Sequence, residues 1–151
     1  MIELEEVTNS DADIELLFKQ LMNRKYSISH KKMPPYSEHD FFVKNHPYRK
    51  WFFVNQDEKI LGNIYIQYDN SIGLNLIDSI SKLQLENIII AIISQVDPLP
   101  EIPSIRFGKF FFNIPTSNAV LQELLLKIGC QESQRTFVFE EVVSSLGRKE
   151  S

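Results

Sequence analysis

The chain has one cysteine, five glycines and no long apolar run in its 151 residues, and each shortage excludes something. A lone Cys130 rules out an internal disulfide framework and a cysteine-based zinc cluster, and suits a reducing compartment. The longest unbroken apolar stretch, residues 88–93, is far short of the ~20 residues that span a bilayer. Acidic residues outnumber basic ones, 20 to 16, so the net charge of −4 gives no global attraction to nucleic acid. The opening MIELEEVTNSDAD is acidic and lacks the basic and apolar regions of a signal peptide. One cytoplasmic domain over residues 1–143 is expected, with a polar, fraying tail at 144–151 and neither membrane nor nucleic acid as partner. The glycine shortage is local as well: none lies between Gly73 and Gly108.

What is present reads as alternating strands and helices. Residues 2–7 suit a first strand, and Asp11 or Asp13 can cap a helix carrying Ile14, Leu17, Phe18 and Leu21. A polar connector at 25–36 contains Pro34-Pro35, after which Ser37 can cap a short helix over 38–45. Strands are predicted at 50–55, 60–68 and 72–77, with turns at 56–59 and at Asp69-Asn70. In the third of these, Ile72, Leu74 and Leu76 share one face, and Gly73 and Asn75 the other. Residues 81–96 have the length of a helix, apolar nearly all round and so expected to be heavily buried. A stiff connector with three prolines leads to a strand at 104–112, a helix at about 116–128 stopped by Gly129, and a last strand at 135–142. Hairpins and helical crossovers together require a mixed sheet.

This order of elements, over residues 2–142, resembles the GNAT (N-acetyltransferase) superfamily. Asn118 to Gly129 resembles the family's N-x-x-A-x-x-x-Y-x-x-x-G-F block, with Leu121 at the Ala, Leu125 at the Tyr and Cys130 at the Phe. A second patch carries Tyr26, His30, Met33-Pro34, His39, Phe41-Phe42 and residues 46–52, continued by Gly62-Asn63 and Asn70-Ser71. It is similar to the acceptor side of acyltransferases that modify amino sugars or sugar nucleotides. The resemblance implies a twisted mixed sheet of six or seven strands with helices on both faces. It also implies a parallel pair that diverges near Leu74, Asn75, Leu76 and residues 110–112. The implied activity is acyl-CoA-dependent N-acyl transfer with acetyl-CoA as cofactor and a small-molecule amine, an amino sugar or sugar nucleotide, as acceptor. Coenzyme contacts would fall on Leu74, Asn75, Leu76, Lys82 and Asn118.

Two departures bear on that activity. Where the family carries Q/R-x-x-G-x-G/A, this chain has Asp78-Ser79-Ile80-Ser81-Lys82-Leu83. Glycines let backbone N–H groups close around a diphosphate, β-branched Ile80 does not, and Asp78 repels the charge. Leu125 has no proton to give a leaving thiolate. Weak or absent acetyl-CoA affinity is therefore predicted. Of the ionisable residues, His39 and then His30 are the base candidates, because imidazoles titrate near neutrality. The spacing of His30, His39 and His46 matches no zinc pattern, and no metal is expected. Each histidine alone is also explained as a surface or turn residue, and Asn118 and Gly129 as a helix cap and stop. Two readings stay open: an acyltransferase, and a GNAT-like binding or scaffolding domain that has lost acetyl-CoA use.

Overall fold

The computed structural model describes residues 1–24 and 33–139. Along the chain run β1 (Ile2–Glu6), α1 (Asp11–Met22), α2 (Tyr36–Lys44), β2 (Lys50–Gln56), β3 (Lys59–Ile66), β4 (Ser71–Leu76), α3 (Lys82–Gln95), β5 (Phe111–Phe112) and α4 (Ala119–Ile128). The strands form one mixed sheet in chain order, antiparallel from β1 to β4, with β5 parallel to β4.

Period-two alternation divides the apolar side chains between two layers. Phe52, Val54, Ile64, Ile66 and Ile72 face α3 and pack on Ile88 and Ile92. Trp51 and Phe53 point the other way and pack on Ile14 and Leu17 of α1 and Val43 of α2. Leu121 and Leu125 hold α4 against Leu85 of α3. Helices thus cover both faces, as expected, and none of those described is long and apolar enough to cross a membrane.

A β-bulge reshapes the middle of the sheet. Val54 pairs with Gly62 and Asn55 with Ile60, which leaves Leu61 without a partner. Leu61 therefore joins Ile64 and Ile66 in the core, and Ile60 turns outward. Gly62 has φ +143°, and a Cβ there would lie 2.1 Å from the Asn75 carbonyl oxygen, so only glycine fits.

Several expectations are corrected. Five strands, not six or seven, are present among the described residues. The strand expected at 104–112 shrinks to Phe111 and Phe112, because the chain before it is folded into a tight turn. Ser104 has φ +63°, Ile102 bridges Arg106, and Arg106 Nε donates to the Pro100 carbonyl at 2.8 Å. Residues 135–139 of the expected last strand have no strand partner among the described residues, and residues 140–142 and the 144–151 tail lie outside them. Ser10, not Asp11 or Asp13, caps α1 by accepting from the Asp13 amide, while the Asp13 carboxylate accepts from the Thr8 amide. Pro35, not Ser37, precedes α2, with no side-chain cap. The helix expected from 116 begins at Ala119, after the Asn118 cap. Helix α3 is apolar on more of its surface than it buries: Leu83, Ile90 and Ile93 are exposed.

The sharpest local feature is Asn70, fully buried in the β3–β4 turn with φ +74°. Its Nδ2 donates to the carbonyls of Leu99 (2.9 Å) and Phe107 (2.7 Å), and its Oδ1 accepts from the Leu99 amide (2.7 Å). The Asn70 carbonyl accepts from the Phe111 amide at 3.3 Å. One side chain thereby fixes the proline-rich connector and aims β5 at β4.

Candidate functional site

β4 and β5 stay together only briefly. They pair at Ser71 with Phe111 and Ile72 with Phe112, after which β4 continues to Leu76 paired with β3 only. The Ser71 carbonyl accepts from Gln67, and the Asn70 carbonyl accepts from Phe111. Alternation therefore turns the backbone groups of Leu74 and Leu76 away from β3 and toward the gap beyond β5. This is the divergence expected from the sequence, and it leaves backbone donors at Leu74 and Leu76, whereas the Asn75 backbone is turned to β3.

A cleft of about 780 Å³ opens on the α1/α2 side of the sheet and reaches this gap. That volume lies within the roughly 300–1,000 Å³ of small-molecule sites. Its floor is Trp51, Asn63, Tyr65, Gly73 and Asn75, supplied by β2, β3 and β4. α1 contributes Gln20, the chain just beyond it Arg24, and α2 contributes Glu38, His39 and Phe42. At the far end lie Asp78, Asn113 and Asn118.

Aromatic rings shape the floor. Tyr48 and Tyr65 stack with centroids 4.1 Å apart and planes 10° from parallel, and Tyr48 meets Trp51 edge-on at 5.0 Å. Tyr65 lies flat only because its cross-strand partner is Gly73, where a Cβ would fall 2.0 Å from the ring. Burial pushes the Tyr48 hydroxyl well above the ordinary phenol range, with Tyr65 adding to the rise and the Arg24 charge opposing it. Burial raises Tyr65 as well, again against Arg24. Both phenols are therefore neutral donors at physiological pH. Burial also lowers the Arg24 pKa, but from so high a starting value that the guanidinium remains charged.

His39 is buried and lines the cleft. Its Nε2 lies 2.9 Å from the Ile14 carbonyl. A carbonyl only accepts, so Nε2 carries the proton, and Nδ1 is left as the basic nitrogen. The side chain thus ties α2 to α1, with Phe18 and Tyr36 packed around the ring. His30, the other base candidate, lies outside the described residues. His46 packs edge-on against Trp51 at 5.1 Å, its Nδ1 accepts from the Tyr48 amide at 3.1 Å, and burial lowers its pKa.

The residues proposed for the coenzyme are differently occupied. The α3 N-terminus closes on itself: Ser81 Oγ accepts from the Gln84 amide at 3.0 Å, and Gln84 Oε1 accepts from the Ser81 amide at 2.9 Å. Ile80, where a glycine would open a cradle, is buried in the main core. Lys82 pairs with Glu86 at 3.5 Å along the exposed side of α3. Asn118 Oδ1 accepts from the Leu121 amide at 3.1 Å, which is an N-cap. A small pocket of about 80 Å³ lies among Asp78, Ile80 and Asn118, and Asp78 and Asn118 also border the far end of the larger cleft. Leu125 is buried against α3.

Sequence reasoning missed the hydrogen-bonded floor made by Trp51, Asn63, Asn75 and Gln20. The available signal was an asparagine inside each of two strongly apolar strands. Among the described residues no three His, Cys, Asp or Glu side chains gather as a metal site. No protein-family model matches the chain, and neither does any curated protein or solved structure.

Proposed function

We propose that the chain is a GNAT-like domain that binds a small molecule in the α1/α2 cleft and has no working diphosphate site for acetyl-CoA. The observation that carries this reading is the closed N-terminus of α3. Two N–H groups that would face a diphosphate, those of Ser81 and Gln84, are spent within the capping box. Charge-assisted hydrogen bonds contribute about 1.5–3 kcal/mol each, so losing two weakens binding on the order of a hundredfold or more. Asp78 adds like charge at the same place, and the Lys82 ammonium is directed to Glu86. The cleft itself is large enough for a ligand, with an aromatic floor and several polar groups. By resemblance its ligand is a small amine such as an amino sugar or sugar nucleotide.

A second reading, an acyl-CoA-dependent N-acyltransferase, is favoured by the parting of β4 from β5. Backbone N–H groups of Leu74 and Leu76 could receive a developing oxyanion, and His39 Nδ1 could take the proton of an attacking amine. The buried Leu125 leaves the departing thiolate without an acid on α4. Calorimetry of the full chain with acetyl-CoA separates the readings. Millimolar or undetectable affinity is expected. Micromolar, stoichiometric binding would overturn the proposal and make the enzyme the conclusion.

A further inference from the structure

The polar side chains on the cleft floor form one hydrogen-bonded chain whose sense is forced from one end. The Trp51 indole can only donate, and its Nε1 lies 3.0 Å from Asn63 Oδ1. Asn63 therefore turns its oxygen to Trp51, and its Nδ2 donates to Gln20 Oε1 at 2.6 Å. The same Asn63 oxygen takes a second bond, from Asn75 Nδ2 at 3.1 Å. Each amide is oriented by its neighbour, which removes the usual exchange of amide oxygen and nitrogen. The chain has two ends. Gln20 Nε2 is sealed in the interior without a partner among the described residues. Asn75 Oδ1 accepts from no group among the described residues, and Asn75 lines the cleft beside the parting of β4 and β5.

We infer that Asn75 Oδ1 is a specificity-determining acceptor, selecting ligands that present an N–H or O–H to the floor beside β4, and that Trp51 is the positioning residue behind it. The inference rests on the cleft being a ligand site. Turning the Asn75 amide over would set its oxygen against Asn63 Oδ1, two acceptors with no proton between them. Turning Asn63 would set its NH₂ against the indole N–H. A ligand carbonyl or carboxylate at this point meets a lone pair, whereas a hydroxyl or amine gains a bond. Tyr48 and Tyr65, at the same side of the floor, offer an apolar surface to the ring that carries the donor.

Trp51 is the only tryptophan in the chain, so its indole reports from the cleft alone. The ¹⁵N-labelled full chain should be titrated with benzyl alcohol and with benzyl methyl ether, following the Trp51 indole and the Asn63 and Asn75 amide signals. The two compounds share a ring and differ in the O–H donor. The alcohol should bind roughly tenfold more tightly, the value of one net hydrogen bond, and Asn75→Ala should bring the two affinities together. Trp51→Phe, which frees Asn63 and Asn75 to turn, should narrow the preference while the amide signals still report binding. Equal affinities in the unmodified protein, or a preference undiminished in Asn75→Ala, would overturn the assignment and leave the cleft as a ligand site. No shift of the indole with either compound at saturating concentration would overturn the proposed function together with it.

Discussion

Replacing Asn70 by alanine should be among the most damaging single changes in the protein, although the residue lies in a turn. Three side-chain hydrogen bonds would be lost, with the Leu99 amide and the Leu99 and Phe107 carbonyls left facing a void. At about 1 kcal/mol for each bond, plus about 1 kcal/mol for placing alanine at φ +74°, the loss is roughly 3–5 kcal/mol. For a domain of this length that lowers Tm on the order of 10 °C. Thermal and urea denaturation measure the total, and amide exchange at Leu99 and Phe111 locates it. The Leu99 amide loses its Asn70 Oδ1 partner and should exchange faster, and the Phe111 amide, bonded to the retained Asn70 carbonyl, should follow only as far as the turn loosens. Asn70→Gly separates the two contributions, because glycine accepts positive φ without strain but makes none of the bonds. A glycine variant as stable as the natural chain would refute the clamp and leave only backbone conformation as the reason for asparagine.

Asn118→Ala should cost about 1 kcal/mol through loss of the α4 cap and leave the weak acetyl-CoA affinity unchanged. An unaltered Tm with a sharp loss of acetyl-CoA binding would contradict this. His46 should make the protein sensitive to mild acid. Burial lowers its folded pKa below the ordinary 6.5, so the unfolded chain takes up the proton first. Its contribution is complete above about pH 6.5 and fades as pH falls through that value toward the lowered folded pKa. Protonating Nδ1 also ends its bond from the Tyr48 amide. Denaturation between pH 8 and pH 5 should show a flatter acid side for His46→Gln, and parallel curves would show that His46 does not contribute.

Much of the fold is legible because local signals and tertiary packing agree. Helix α3 begins at Ser81 and α4 runs between Asn118 and Gly129, each a residue whose capping chemistry is visible in the sequence. Strands β2, β3 and β4 follow from alternation, with ends shifted by one or two residues. The failures arise where a strand-like sequence lacks a neighbour. Residues 104–110 contain Ile105 and Phe107 at period-two spacing, yet Asn70 and Arg106 bend the backbone before it can pair. Phe137 and Val138 carry strong strand propensity and remain more than 80% exposed, since nothing pairs with them among the described residues. The bulge at Leu61 was equally invisible, because a single extra residue puts Leu61 in the core and turns Ile60 out of it.

The candidate site was legible by region and not by residue. His39 borders the cleft, as the chemistry of imidazole suggested, but it also spends one nitrogen in holding α2 to α1. The floor escaped because its logic spans three strands and a helix.

That floor is also the strongest argument that this face is built for something besides stability. A buried indole N–H needs an acceptor, so Asn63 is explained by Trp51 alone. The same reasoning does not reach Asn75 or Gln20. An apolar residue at position 75 would spare the sheet a side chain whose oxygen has no partner among the described residues, where Gln20 likewise leaves a sealed donor unpaired. A buried unpaired donor costs about 1–3 kcal/mol, a large share of the margin of a small domain. Glycine at position 73 adds to the cost, since it packs nothing of its own and serves to let Tyr65 lie flat against Tyr48. Three neighbouring positions on one face thus give up stability in ways that leave an aromatic surface and a fixed acceptor open to the same cleft. The other face of the sheet is packed with Phe52, Val54, Ile64 and Ile66 against α3, and its one glycine, Gly62, is accounted for by the bulge. The contrast between the two faces is the reason for assigning the proposed ligand to the α1/α2 side, and under the inference above the orientation of Asn75 sets which end of that ligand meets the floor.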